Sequence, residues 1–132
     1  MLQRDYILRL IQEFAKAMAL LLQKKKLSER RTELQRMYDQ YVGPYDLLFN
    51  ATTDQMMDHM LQFAPEERLQ RMEMLAELYM AEADTVGKIT ADQLLEKAYF
   101  LYDYIETEGR TLSFDHQRKM ADIRQRLEKS EK

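Results

Sequence analysis

The positions of glycine and proline constrain this chain more than any other feature. Only five of its 132 residues are of these two types (Gly43, Pro44, Pro65, Gly87 and Gly109), and each falls between amphipathic runs. In a helix interior Gly costs about 1 kcal/mol and Pro about 3 kcal/mol, so this placement marks helix ends along the whole chain. The expected fold is all-α, with about six helices in antiparallel hairpins. The length fits one domain, residues 1–132, able to bury roughly two thirds of the surface its unfolded form exposes.

The first helix is predicted over about Gln3 to Gln23. Tyr6, Ile7, Leu10, Ile11, Phe14, Ala17, Met18, Leu21 and Leu22 recur there at three- and four-residue steps. Asp5 suits the positive end of the helix dipole, and Lys24, Lys25 and Lys26 suit the negative end. A second helix, about Ser28 to Tyr41, carries the narrower stripe Leu34, Met37, Tyr38 and Tyr41, and residues 1–42 read as an N-terminal helical arm. After Gly43 and Pro44, the apolar patch Tyr45, Leu47, Leu48 and Phe49 predicts one helical turn.

A third helix is expected from Thr52, which has capping-box spacing with Gln55. Pro65, with Glu66 and Glu67 beside it, opens a fourth that runs to about Thr85 and buries Leu69, Met72, Leu75, Ala76, Tyr79 and Ala83. Thr90 and Gln93 suggest a second capping box. The fifth helix that follows has Leu94, Leu95, Ala98, Tyr99, Leu101, Tyr102 and Ile105 on so wide an arc that it should be the most buried. Gly109 ends it, and Ser113 caps a sixth with the stripe Met120, Ile123 and Leu127, narrow enough for the end of a stack.

Residues 52–58 (Thr-Thr-Asp-Gln-Met-Met-Asp) and 90–96 (Thr-Ala-Asp-Gln-Leu-Leu-Glu) echo one another at an offset of 38, with three identities. A period near this value is in the range of helix-hairpin repeats, whose members bury their faces on each other. Residues 52–131 therefore read as two tetratricopeptide-like hairpins. The opening Arg4-Asp5-Tyr6-Ile7-Leu8-Arg9-Leu10-Ile11-Gln12-Glu13-Phe14, with Gly109-Arg110-Thr111-Leu112-Ser113-Phe114 leading into Gln117, resembles a family of short bacterial all-helical proteins of unknown function. That family has tetratricopeptide-like helix pairs. The resemblance implies a helical stack and carries over no catalytic or ligand residue.

The net charge of −3 hides an uneven layout. Residues 1–42 carry a net +4, residues 43–109 a net −10 and residues 110–132 a net +3, so the ends could face the middle, face a partner or simply be solvated. With no cysteine the chain has no thiolate chemistry or disulfide framework, which suits the cytoplasm. The longest apolar run, Ala17 to Leu22, falls far short of the ~20 residues of a membrane span, and we read no signal peptide.

Catalytic chemistry finds little support. His116 falls on the stripe with Met120, Ile123 and Leu127 and reads as a packed rim histidine, and His59 lacks a second metal ligand at helical spacing. The pairs Asp54/Asp58 and Glu73/Glu77 lie on predicted polar faces, where solvation keeps carboxylates ordinary. Lys24 to Lys26, Arg30, Arg31 and Arg36 form a basic cluster, but the chain's pI of about 5.5 and the absence of a recognition motif point away from nucleic acid.

The expectation is thus a non-enzymatic protein–protein interaction module, with no catalytic residue, cofactor, metal or small-molecule substrate indicated. The alternatives are a self-associating homo-oligomer and a peripheral protein held on a membrane surface by the first helix. Ile7, Phe14 and Leu21, spaced by sevens, can form a helix–helix seam. Met74 and Met80 lie off the buried line of the fourth helix and are expected to border a groove for a partner.

Overall fold

The computed structural model describes residues 2–109 and 114–130, with the side chains of 5–109 and 114–129. Within them the chain is all-α, with seven helices: α1 (Leu2–Gln23), α2 (Leu27–Tyr41), α3 (Tyr45–Asn50), α4 (Thr53–Met60), α5 (Pro65–Ala83), α6 (Lys88–Gly109) and α7 (Phe114–Ser130). The expected helical turn at Tyr45 is α3. The cap assigned to Ser113, and the Arg110 to Ser113 part of the resemblance, lie outside the described residues.

Local chemistry accounts for most boundaries. Thr52 caps α4 in a full capping box: its hydroxyl accepts from the Gln55 N–H at 3.2 Å while the Gln55 side chain accepts from the Thr52 N–H at 3.0 Å. Pro65 opens α5 with Glu66 and Glu67 in its first turn. Gly43, at φ +139°, turns the chain out of α2, and its N–H returns to the Tyr38 carbonyl at 2.8 Å. A Cβ at Gly43 would also collide with the His59 ring, whose Nε2 meets the Val42 carbonyl at 2.9 Å.

The second capping box is a correction. α6 begins at Lys88, with the Ala91 N–H on the Gly87 carbonyl at 2.8 Å, so Thr90 lies inside the first turn. The chain break at Gly87 sets the start before Thr90 can cap it. The two echoing segments consequently sit differently: the 52–58 copy opens an 8-residue helix and the 90–96 copy falls within a 22-residue one.

The centre of the fold is α5, which packs against α1, α2, α4 and α6. It has nine buried residues to seven on α6, so the expectation that the helix around Leu101 is the most buried is also corrected. Hydrophobic arc width measures how apolar a helix is, whereas burial follows the number of neighbours, and α5 has more. The α5–α6–α7 hairpins bring α7 back parallel to α5, with His116 beside Glu73 and Arg126 beside Asp84. α1 also runs parallel to α5: Tyr6 lies near Arg71, while Met18 and Leu22 lie near Met80 and Asp84. Thus α1 and α7 flank α5, and the buried side chains of the N-terminal helices share one core with the rest.

Helices α1, α2 and α3 have no basic residue in their last turns, and cations from elsewhere meet their terminal carbonyls. Arg30 donates to the carbonyls of Leu22 (3.1 Å) and Lys24 (2.6 Å) at the end of α1. Arg71, buried on α5, donates to the Tyr41 carbonyl at 2.5 Å and closes α2. Lys97, buried on α6, closes α3 through the carbonyls of Leu48, Phe49 and Ala51 at 3.0, 3.1 and 3.1 Å. Arg71 and Lys97, distant in sequence, thereby fix the ends of α2 and α3 to α5 and α6.

Candidate functional site

Three places in this frame gather polar or exposed apolar groups. The first surrounds Glu82, fully buried on α5. The Tyr38 hydroxyl donates to its Oε1 at 2.9 Å and the Tyr45 hydroxyl to its Oε2 at 2.5 Å. Arg31 stands 3.9 Å from the same carboxylate and donates to the Tyr45 hydroxyl at 3.3 Å. Burial, and then the bond to Glu82, pushes the Tyr45 phenol up to about 12; burial and Glu82 push Tyr38 well above the usual phenol value.

Nearby, burial pushes Lys97 down to about 8, with Glu82 opposing. A lysine so perturbed is often a functional group. Here, however, its ammonium has three N–H donors and three carbonyl acceptors, and it lies 4.6 Å from the centroid of the Tyr79 ring. No donor is left to meet a substrate, so the arrangement is a helix cap.

The second place is a clamp on α7. His116 reaches Glu73 on α5 through Nε2 and Glu106 on α6 through Nδ1, the latter at 2.7 Å. Burial lowers its pKa, but the hydrogen bonds to Glu73 and Glu106 outweigh this and the net shift is upward. Beside it Lys119 bridges Glu77 (3.4 Å) and Asp115 (3.0 Å), and burial raises the Glu77 carboxyl despite Lys119. A histidine with a raised folded pKa contributes fully below its unfolded value of about 6.5 and loses that contribution as pH rises through the folded value. Wild type should therefore exceed His116→Gln by about 1 kcal/mol at pH 6, discounted for the part-exposed Glu73, and by little at pH 9. Urea unfolding at the two pH values checks this, and a gap independent of pH would contradict it.

The third place is a cleft of about 240 Å³ between α1 and α7. Met80 and Ala81 of α5 form its floor, Met18 and Leu22 its α1 wall, and Lys119, Asp122 and Arg126 its α7 wall. Arg126 pairs with Asp84 at 2.8 Å across the far end. Above the cleft the outer face of α1 is apolar and open. Leu8, Ile11, Ala15, Ala19 and Leu22 follow one another at steps of three and four, all exposed, Leu8 at 50% and Leu22 at 54%. No charged residue interrupts this stripe.

The expected site residues divide between these places. Ile7, Phe14 and Leu21 are buried within the chain, the Phe14 ring standing edge-on to Tyr41 at 5.2 Å, so α2 and α5 cover this seam. Met74 is buried, not exposed, a correction that follows from the number of helices around α5. Met80 is half-buried and floors the cleft. Asp54 and Asp58 are exposed, as expected, whereas Glu73 and Glu77 face α7 and leave the predicted polar face. Ile11 and Leu22, part of the periodic apolar set of the first helix, are exposed and belong instead to this outer stripe, because the neighbouring seam takes the core; the signal for the stripe is the uncharged set Leu8, Ile11, Ala15, Ala19 and Leu22 at three- and four-residue steps. Among the described residues no group of three or more His, Asp or Glu is placed to hold a metal ion, and no helix is long and apolar enough to cross a membrane. No family model, curated protein or solved structure matches this chain.

Proposed function

We propose that this chain is a non-enzymatic helical module that binds another protein helix along the outer face of α1 and the adjoining cleft. The observation that carries this reading is the uncharged stripe Leu8–Ile11–Ala15–Ala19–Leu22 left open beside a core that is complete without it. Apolar side chains at i, i+3, i+7, i+11 and i+14 form the face that another amphipathic helix packs against, and Met18 and Met80 supply adaptable thioethers next to it. The saturated donors of Lys97 and the internal partners of Glu82 and His116 support a structural role for the buried polar groups.

The reading extends to a cytoplasmic bacterial protein with tetratricopeptide-like pairing of α4 with α5 and α6 with α7. Its support is the cysteine-free composition and the helical resemblance of the opening segment. Affinity capture from the native host, comparing wild type with the Leu8→Glu/Leu22→Glu variant, tests it. A partner retained by wild type and lost by the folded variant is the expected result; equal recovery by both would exclude this face. Flotation of wild type with anionic vesicles, abolished in the variant, would favour the membrane-surface reading, which the lysines after Leu22 would then serve.

A further inference from the structure

We propose that α7 is a proton-operated latch: a proton held among His116, Glu73 and Glu106 keeps it closed on α5, and loss of that proton lets it open while the rest of the core stays folded. α7 packs along α6 and reaches α5 through a row of polar pairs, His116 to Glu73, Lys119 to Glu77 and Arg126 to Asp84. The steps along the two helices match, three then seven on α7 and four then seven on α5, so one face of α7 is bonded to one face of α5. Of the three cations in this row, only histidine gains or loses its proton near neutral pH.

The geometry around the ring requires that proton. Both nitrogens meet a carboxylate, Nδ1 that of Glu106 at 2.7 Å and Nε2 that of Glu73. A neutral imidazole has one N–H and one lone pair, so one of the two contacts would set a lone pair against a carboxylate oxygen, whereas the imidazolium donates at both. A proton on Glu73 would bridge the same contact, so the closed form holds one proton within the triad wherever it resides. The ring also lines a cleft of about 220 Å³ with Leu69, Gln70 and Ile105, which gives the proton a path to solvent.

The other charged and titratable neighbours do not mimic this response. Among the described residues they are Glu77 on α5, Tyr102 on α6, and Asp115 and Lys119 on α7. The bond to Lys119 holds the Asp115 carboxyl below its usual range, burial raises the Tyr102 phenol, and the Lys119 ammonium is raised by Glu77 and Asp115 against its burial, so none of the three titrates near neutral pH. Glu77, raised by burial, ionises as pH climbs, which tightens its pair with Lys119 and opposes opening. Opening that grows with pH therefore belongs to the triad. It uncovers Met120 and Ile123 of α7 and the Tyr102 ring beside His116, and it removes the α7 wall of the cleft next to α1. The device does not depend on what that cleft binds.

The chain has no cysteine, so one introduced thiol reports opening directly. In Met120→Cys, at a buried position of α7, the rate of reaction with a neutral disulfide reagent, divided by the rate for the same variant unfolded in urea at the same pH, gives the open fraction. That fraction should rise roughly fivefold from pH 6 to pH 9, the equivalent of one lost hydrogen bond. Met72→Cys, in the core on α5, should stay equally protected at both. Adding Glu73→Gln to Met120→Cys should abolish the rise, because the glutamine amide donates to the bare Nε2 as the held proton does. In the unsubstituted protein the Ile123 methyl resonances should move with the same midpoint as the His116 ring protons. An open fraction independent of pH, a rise that survives Glu73→Gln, exposure of Met72→Cys in step with Met120→Cys, or Ile123 methyls indifferent to the His116 titration overturns the latch.

Discussion

Replacing Glu82 by leucine lowers the unfolding free energy by about 2–4 kcal/mol, the cost of leaving two hydroxyl donors without their shared acceptor. The loss arises from what remains. The buried Tyr38 hydroxyl, which donates to the carboxylate at 2.9 Å, loses its acceptor, the Tyr45 hydroxyl, which donates at 2.5 Å, keeps only the Arg31 donor, and the half-exposed Arg31 cation loses its counterion. A triple variant, Tyr38→Phe/Tyr45→Phe/Glu82→Leu, removes donors and acceptor together and should recover a large part of the loss. Urea unfolding of the two variants checks both statements. A single variant within about 1 kcal/mol of wild type, or a triple variant worse than the single, would contradict them.

Lys97→Met costs about 3 kcal/mol, a comparable amount, although methionine keeps much of the stem's packing. The Leu48 carbonyl retains the Tyr79 hydroxyl at 2.6 Å, but Phe49 and Ala51 lose the Lys97 donor at the end of α3. The pH dependence has a definite sign. A lysine with a folded pKa of about 8 and an unfolded pKa near 10.4 makes the unfolded state the better proton acceptor between them, so its contribution to stability rises with pH across that window. The difference between wild type and Lys97→Met should therefore widen from pH 8 to pH 10, and denaturation midpoints measure it. A difference that narrows would show that the Lys97 pKa is not depressed.

Much of the helical layout was legible in the chain because Gly and Pro act locally. Gly43, Pro65 and Gly87 each lie at a helix boundary, and the Thr52–Gln55 box forms as its spacing predicts. Thr90 misled because capping chemistry competes with the chain break three residues earlier, and the break prevails. Burial was harder to read, since it depends on neighbours. Glu82 belongs to a helix rich in glutamates, and only Tyr38, 44 residues away, and Tyr45, 37 away, show why it is inside. Met74 was misplaced for the same reason.

The candidate surface was half legible. The periodicity at Ile7, Phe14 and Leu21 marked α1 as a packing helix, but periodicity carries no information on whether the chain's own core or another molecule covers a given stripe. Once α2 and α5 are seen to take that seam, the adjacent stripe from Leu8 to Leu22 is what remains.

Methyl resonances followed while a captured host partner is added test the central statement, that α1 contacts another protein through this outer stripe, most directly. The account predicts shifts at Leu8, Ile11, Ala15, Ala19 and Leu22, smaller ones at Met18 and Met80 in the adjoining cleft, and none at the buried Leu101 or Ile123. Shifts confined instead to the exposed Ile89 on α6 would contradict it.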